Sequence, residues 1–249
     1  TAIRGNREEV LNCNDEIKFN FKLAYNYIGA AKKIYDNMNA IYEFALNVEE
    51  IFKIAAGIVN QELIHKELTQ QKGKIKKFFA SAITPEGPIN YIDSLINGYK
   101  RVYVLHTPIG MGGEKILSIV MNSALYRGFN VEAYYCPMEP ETKMEHLLIP
   151  DLGTAFVTFN YYHKLDITGY KEIDFNDYID WGKIKGYKDL IDHSCALMDE
   201  LLQKGVQSIK KSKKTHDLLE KNYIPNMNFE AVEAYRKELV GKYILPRLI

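Results

Sequence analysis

The sequence predicts an α/β fold, a mostly parallel sheet flanked by long α-helices, and three observations lead there. Residues 6 to 68 contain no proline and repeat apolar side chains at three- and four-residue steps, as at Val10, Ile17, Phe21, Tyr25 and Ile28, the spacing of amphipathic helices. The middle of the chain alternates short apolar runs with helical segments, the pattern of strand and crossover helix. From about Ile184 onward helical spacing returns.

The elements follow in order. After the first helical segment, "KKFFASAITPEGPINYIDSLINGYKRVYVLH" reads as strand, Pro/Gly loop, short helix ending near Gly98, and a strand over Val102 to Leu105. A glycine-rich turn leads into "EKILSIVMNSALYRG", which has helical spacing and ends at Gly128, a helix stop. The strand-like "VEAYYC" completes a βαβ unit, and "LLIP" and "TAFVTF" are two further strand candidates.

The 249 residues are 47% hydrophobic, enough to bury a continuous core. Lysine and arginine total 32 against 32 acidic residues, so no global field favours nucleic acid or an anionic membrane. The aromatic pairs Tyr134/Tyr135 and Tyr161/Tyr162 therefore read as packing residues, and the lysine run from Lys210 to Lys214 as a solvated helix face. Cys13, Cys136 and Cys195 are far apart and lack CxxC spacing, which argues against a disulfide framework or structural zinc and fits a reducing cytoplasm. No run approaches the ~18 apolar residues of a membrane helix. GxSxG, HExxH and metal-ligand spacings are absent, so no metal site is expected.

The two helical ends resemble each other at an ungapped offset of 181 residues, Lys32 falling on Lys213. The same offset matches Ile3 with Ile184, Gly5 with Gly186, Ile28 with Ile209, Lys33 with Lys214, Asp36 with Asp217, Tyr42 with Tyr223, Asn47 with Asn228, Glu49 with Glu230 and Val59 with Val240. An internal duplication accounts for this; a shared amphipathic pattern is the plainer alternative. Duplication gives three parts: residues 1–68 as the helical tail of a first unit, 69–181 as an α/β core, and 182–249 as the second helical tail. A first core is then expected upstream of Thr1.

"NREEVL", "FFASAITPEGPINYIDSL", the strand entering a glycine loop, "RGFNVEAYYC", "LLIPDLGTAFV" and "NYIPNMNFEAV" together resemble a family of tandem P-loop proteins from spore-forming and related bacteria, described as predicted ATPases or nucleotide-kinase-like proteins. The resemblance implies a P-loop NTPase-like core that binds ATP and Mg2+. In that family the loop reads GRPGTGKST: backbone amides cradle phosphates, a lysine reaches the terminal phosphate, and a hydroxyl holds magnesium. Here "TPIGMGGEKIL" keeps Gly110 and Gly112 but sets Gly113 at the lysine position, Glu114 at the serine position and Lys115 at the threonine position. Thr158 stands where the family carries an acidic residue, and His163 falls on the family histidine.

The candidate phosphate-binding residues are therefore Gly110, Met111, Gly112, Gly113, Glu114 and Lys115, since amides at a helix N-terminus can hold an anion without side chains. A carboxylate at Glu114 suits the helix dipole and repels phosphate; Lys115 reads more readily as a solvated surface group than as a phosphate ligand. Thr84, Pro85, Glu86, Gly87 and Pro88 form a possible second loop beside the first, or a tight turn. His163 reads as a site residue or a hydrogen-bonded structural histidine, and Cys136 as a buried small hydrophobe. The expected function is an ATP-binding, ATPase- or kinase-like protein whose visible half is a regulatory or structural pseudo-NTPase core. Its partners are nucleotide and an upstream repeat unit or a second copy of itself. The alternative is a non-catalytic interaction protein that has lost nucleotide.

Overall fold

A computed structural model describes residues 6–167 and 169–247. The chain divides into two compact units, residues 1–23 with 208–249 and residues 24–207, each taken here by itself. The expected boundary after residue 68 falls between the helix Val48–Leu63 and the strand Ile75–Phe78, the one after 181 falls within the short helix Trp181–Ile184, and the compact units divide elsewhere.

Helix α1 runs over Arg7–Ala45 and contributes to both units. Asn47 stops the helical run that the absence of proline would have allowed to continue. Its side chain accepts from the N–H of Glu50 and caps α2, Val48–Leu63, while its own N–H donates to the carbonyl of Tyr178. Helix α2 buries Ile51, Ala55, Ile58 and Leu63, a stripe at helical spacing. Each large member of that stripe contributes roughly 1.5–3 kcal/mol by leaving water.

The sheet of the larger unit has six strands in the order β1-β5-β6-β7-β4-β8. They are β1 Ile75–Phe78, β4 Arg101–His106, β5 Val131–Cys136, β6 Glu139–Ile149, β7 Thr154–Phe159 and β8 Lys171–Asp174. β4 is parallel to β7 and β8, and β1 to β5, while β6 is antiparallel to both of its neighbours. The expected βαβ unit is present as β4, α4 (Glu114–Leu125) and β5, with β7 and β6 between its two strands. β6 is longer than "LLIP" suggested: it starts at Glu139, just past the turn at Pro137 and Met138, and its first residues are polar and largely exposed. The stretch after Ala80 is a hairpin, β2 Ser81–Thr84 and β3 Gly87–Asn90, before the short helix α3 at Ile92–Ile96.

Two apolar layers cover the sheet. On one face Tyr103, Leu105, Ala133, Leu147 and Phe156 pack with α1, α2 and α4, the Tyr103 and Phe156 rings stacked at 4.7 Å. On the other, Val102, Val104, Leu148, Ala155 and Val157 meet Ala80, Ile92 and Ile96. After β8 come α5, Trp181–Ile184, and α6, Lys188–Tyr223. Within the larger unit α6 supplies Ile191, Met198 and Leu202 to the same core as α1.

The smaller unit joins the start of α1 to the end of α6 through polar side chains. Ser212 donates to the carbonyl of Ile17 at 3.1 Å, and Asn6 donates to Asn222 at 2.7 Å. Helix α7, Phe229–Leu239, follows and buries none of its residues.

Element boundaries recur at the 181-residue offset. α1 starts at Arg7 and α6 at Lys188; α2 starts at Val48 and α7 at Phe229. Asn47 and Asn228 are both N-caps accepting from the N–H three residues on, and Lys32 pairs with Asp36 at 2.9 Å as Lys213 pairs with Asp217 at 3.0 Å. Ile3 and Gly5 lie outside the described residues.

Candidate functional site

The glycine loop joins β4 to α4, the place an α/β sheet offers for phosphate. Among its members Gly110 has φ +95°, a conformation that favours glycine. A Cβ built on Gly110 would lie 2.5 Å from the Cβ of Met38, so α1 lies directly against the loop at this point. Met111 turns into the core at 2% exposure, and Gly113 begins α4 by accepting from the N–H groups of Ile116 and Leu117. A Cβ on Gly113 would stand 2.6 Å from Leu105 Cδ1, so any side chain at this position would abut the packed core.

Glu114 folds back over the loop. A Cβ on Gly112 would fall 2.2 and 2.4 Å from the two carboxylate oxygens of Glu114, which places that carboxylate on the glycine itself. Burial raises the Glu114 pKa above its usual value, opposed by Lys143 and by its own backbone N–H and reinforced by Glu145 and Glu43. Lys115 is held by Glu43 at 2.7 Å. The depression in front of the loop is lined by Asp36, Glu43, Glu114 and Glu139 against Lys115 and Lys143, a surface where acidic groups outnumber basic ones.

Bordering the same cavity as Gly110 lies a buried polar cluster of which the sequence pointed only to His163 and Cys136. Lys143 and Glu145 on β6 approach at 3.5 Å, and His163 Nε2 stands 3.3 Å from the other Glu145 oxygen. The Lys143 ammonium sits 3.6 Å from the centre of the Tyr35 ring, a cation–π contact. Burial works against the charge on Lys143, and the anionic forms of the surrounding groups, Tyr35, Cys136, Glu145 and Glu114, outweigh it, so its pKa is raised. Burial lowers the pKa of His163, against the opposing pull of Glu145, and lowers that of His146 well below the usual histidine range. Burial, with Glu145 alongside, pushes the Cys136 thiol up to about 12, making it an inert small hydrophobe rather than a nucleophile. The one signal in the sequence was "KMEH", three ionisable residues set immediately before a buried apolar run.

Glu145, His146 and His163 bring ligand atoms within 4.8 Å of one another, yet their chemistry does not suit a cation. His146 Nδ1 accepts the N–H of Thr158 at 3.1 Å, which puts the ring proton on Nε2 and removes a lone pair from ligation. Lys143 beside Glu145 already supplies the positive charge. Thr158 also donates its hydroxyl to the Glu145 carbonyl at 2.6 Å, so its N–H and its hydroxyl are both engaged by β6.

Thr84, Glu86 and Gly87 form the turn of the β2–β3 hairpin, with Gly87 at φ +117° and Thr84 donating its hydroxyl to the Gly87 carbonyl at 2.8 Å. Pro88 of that stretch, with Ser81, Ile83 and Ile89 of the hairpin, walls a cavity that Gly110 and His163 also border. No family model, no curated protein and no solved structure matches this chain.

Proposed function

We propose that this α/β core is a degenerate P-loop-like unit that holds no nucleotide in its glycine loop and serves as the non-catalytic, structural or regulatory half of an assembly. The carboxylate of Glu114, seated on Gly112 where an anion would lie, carries the reading. A phosphate entering there would have to expel a tethered carboxylate and face the acidic groups in front of the loop, and proximity favours the tethered group. ATP and Mg2+, implied by the family resemblance, find no lysine at Gly113 and no hydroxyl at Glu114.

The partner of such a half is an upstream repeat unit or a second copy, and α7 is the surface we assign to it. Its side chains Val232, Leu239 and Tyr235 are exposed where the offset places Ile51, Ile58 and Ile54 of α2, and α2 packs its stripe against α4. Among the described residues no helix is long and apolar enough to cross a membrane, and all three cysteines are free, which suits the cytoplasm.

Calorimetry with ATP and with GTP, with and without magnesium, on the chain and on its Gly112→Arg variant tests this reading. No heat of binding at millimolar nucleotide is expected from either protein. Saturable binding by the unaltered chain that Gly112→Arg abolishes would return the loop to nucleotide.

A further inference from the structure

Beneath the hairpin and behind Gly110 lies a cavity of about 60 Å3, roughly four times the room one water needs. Its walls are mostly apolar, with Ile83 and Ile89 from the hairpin, Met138 from the β5–β6 turn, and Met198 and Leu202 from α6. Its polar lining is formed by Tyr35, Ser81, Lys143, Glu145, Asn160 and His163.

Three buried atoms of this lining lack partners: the Tyr35 hydroxyl, the Ser81 hydroxyl and His163 Nδ1. Buried polar groups are nearly always satisfied, and leaving one unmet is costly. Three around one cavity mark a place that a ligand's head group completes. The hydrogen-bonding sense of each is fixed by its neighbours. His163 turns Nε2 to the Glu145 carboxylate, so that nitrogen carries the proton and Nδ1 offers a lone pair. Asn160 spends its side-chain carbonyl on the N–H groups of Tyr162 and His163, leaving its NH2 as a donor. Tyr35 and Ser81 bring hydroxyl hydrogens without acceptors. The head group therefore accepts two or three hydrogen bonds and donates one.

Charge decides between head groups. Lys143 and Glu145 already compensate each other at 3.5 Å, and a third charge in the same buried space would stand unpaired. We infer that this cavity is a binding site for a small uncharged molecule with a primary amide or hydroxyl head and a short apolar body, lodged between the hairpin and α6. The site is separate from the glycine loop and stands whether or not that loop takes nucleotide.

The test uses the full chain carrying 13C-methyl methionine, because Met138 and Met198 line the cavity while Met121, a residue of α4, is not part of its lining. Four probes share one tail and differ in the head: butanamide, butan-1-ol, butanoate and butylammonium. Butanamide or butan-1-ol is expected to shift the Met138 and Met198 methyls saturably, with a dissociation constant near ~1 mM, within the per-atom ceiling for so small a ligand. Met121 stays in place. Ser81→Ala, which removes one hydroxyl at the head, weakens that binding by roughly 2- to 10-fold, the worth of one hydrogen bond. Ile83→Phe, filling the cavity, abolishes it, while unchanged methyl signals at Met121 and Met144 report an intact fold. Absence of a saturable shift with every probe would mean that the cavity holds water alone and would overturn the inference. So would butanoate or butylammonium binding as tightly as the amide, or a Ser81→Ala variant that binds like the parent.

Discussion

Gly110→Ala separates a loop packed against a helix from a loop open to a ligand. At φ +95° an alanine incurs the left-handed penalty of about 1–2 kcal/mol. Its Cβ would stand 2.5 Å from the Met38 Cβ, over 1 Å short of ordinary carbon contact, and both atoms are fixed to backbone. Relief requires α1 or the loop to move, an overpacking cost of about 1–3 kcal/mol. Gly98→Ala is the control: its φ of +88° is nearly the same, and nothing lies within 4 Å of its added Cβ. The difference between the variants is therefore about 1–3 kcal/mol, or roughly 2–12 °C in midpoint for a chain of this size. Trp181, the single tryptophan, packs edge-on to Tyr42 of α1 at 6.3 Å, and its fluorescence on heating follows the larger unit. Adding Met38→Ala should rescue nothing, because the clash is with Cβ. Equal midpoints for Gly110→Ala and Gly98→Ala would refute the packed loop and reopen it to an anion.

Further predictions concern ionisation, thiol access and the repeat. Burial raises the Glu114 pKa above 4.5, so the folded chain binds that proton more tightly than the unfolded one, and this contribution to stability falls as pH rises from about 4.5 through the folded value. Glu114→Gln removes the fall, and the variant should gain on the parent in urea midpoint between pH 4.5 and 8; parallel midpoints would show a solvated carboxylate. His146 and His163, lowered from 6.5, act in the opposite sense: the unfolded chain takes up their protons first, so their contribution is lost as pH falls below about 6.5. At pH 8 iodoacetamide should modify partly exposed Cys13 well before Cys136, whose thiol is buried and pushed up to about 12; equal rates on mass spectrometry would contradict that burial. Ile58→Ala should cost about 2–5 kcal/mol, whereas Leu239→Ala, at the repeat-equivalent and exposed position, should fall within about 0.5 kcal/mol in the chain alone, as read by urea titration.

Much of the fold was legible because its elements were internally consistent. β4, β5 and β7 are short apolar runs buried on both faces of a sheet, and α1, α2, α4 and α6 carry apolar residues at helical steps. β6 was half hidden, since Pro137, Pro140 and the charges of "ETKMEH" look like a loop while the strand runs through them. β8 was illegible: an edge strand of four residues with Ile173 alone buried has almost no pattern. The glycine loop was visible as a motif, but what touches it was not. Met38 reaches Gly110 from α1, far upstream in the sequence, and the backward turn of Glu114 is a rotamer, which periodicity does not encode. The cluster of Tyr35, Lys143, Glu145 and His163 arises only when α1, β6 and the segment after β7 converge.

That convergence bears on why the loop carries glycines. Gly110 is needed where α1 crosses and Gly113 where Leu105 fills the core, and Gly112 leaves the space that Glu114 occupies. Each of these glycines answers to packing. Lys143, on β6 and not on the loop, offsets part of the burial cost of the Glu114 carboxylate. Gly113→Lys alone would set a side chain against Leu105 and leave Glu114 in place. Phosphate affinity would take the removal of Glu114 and the withdrawal of α1 as well.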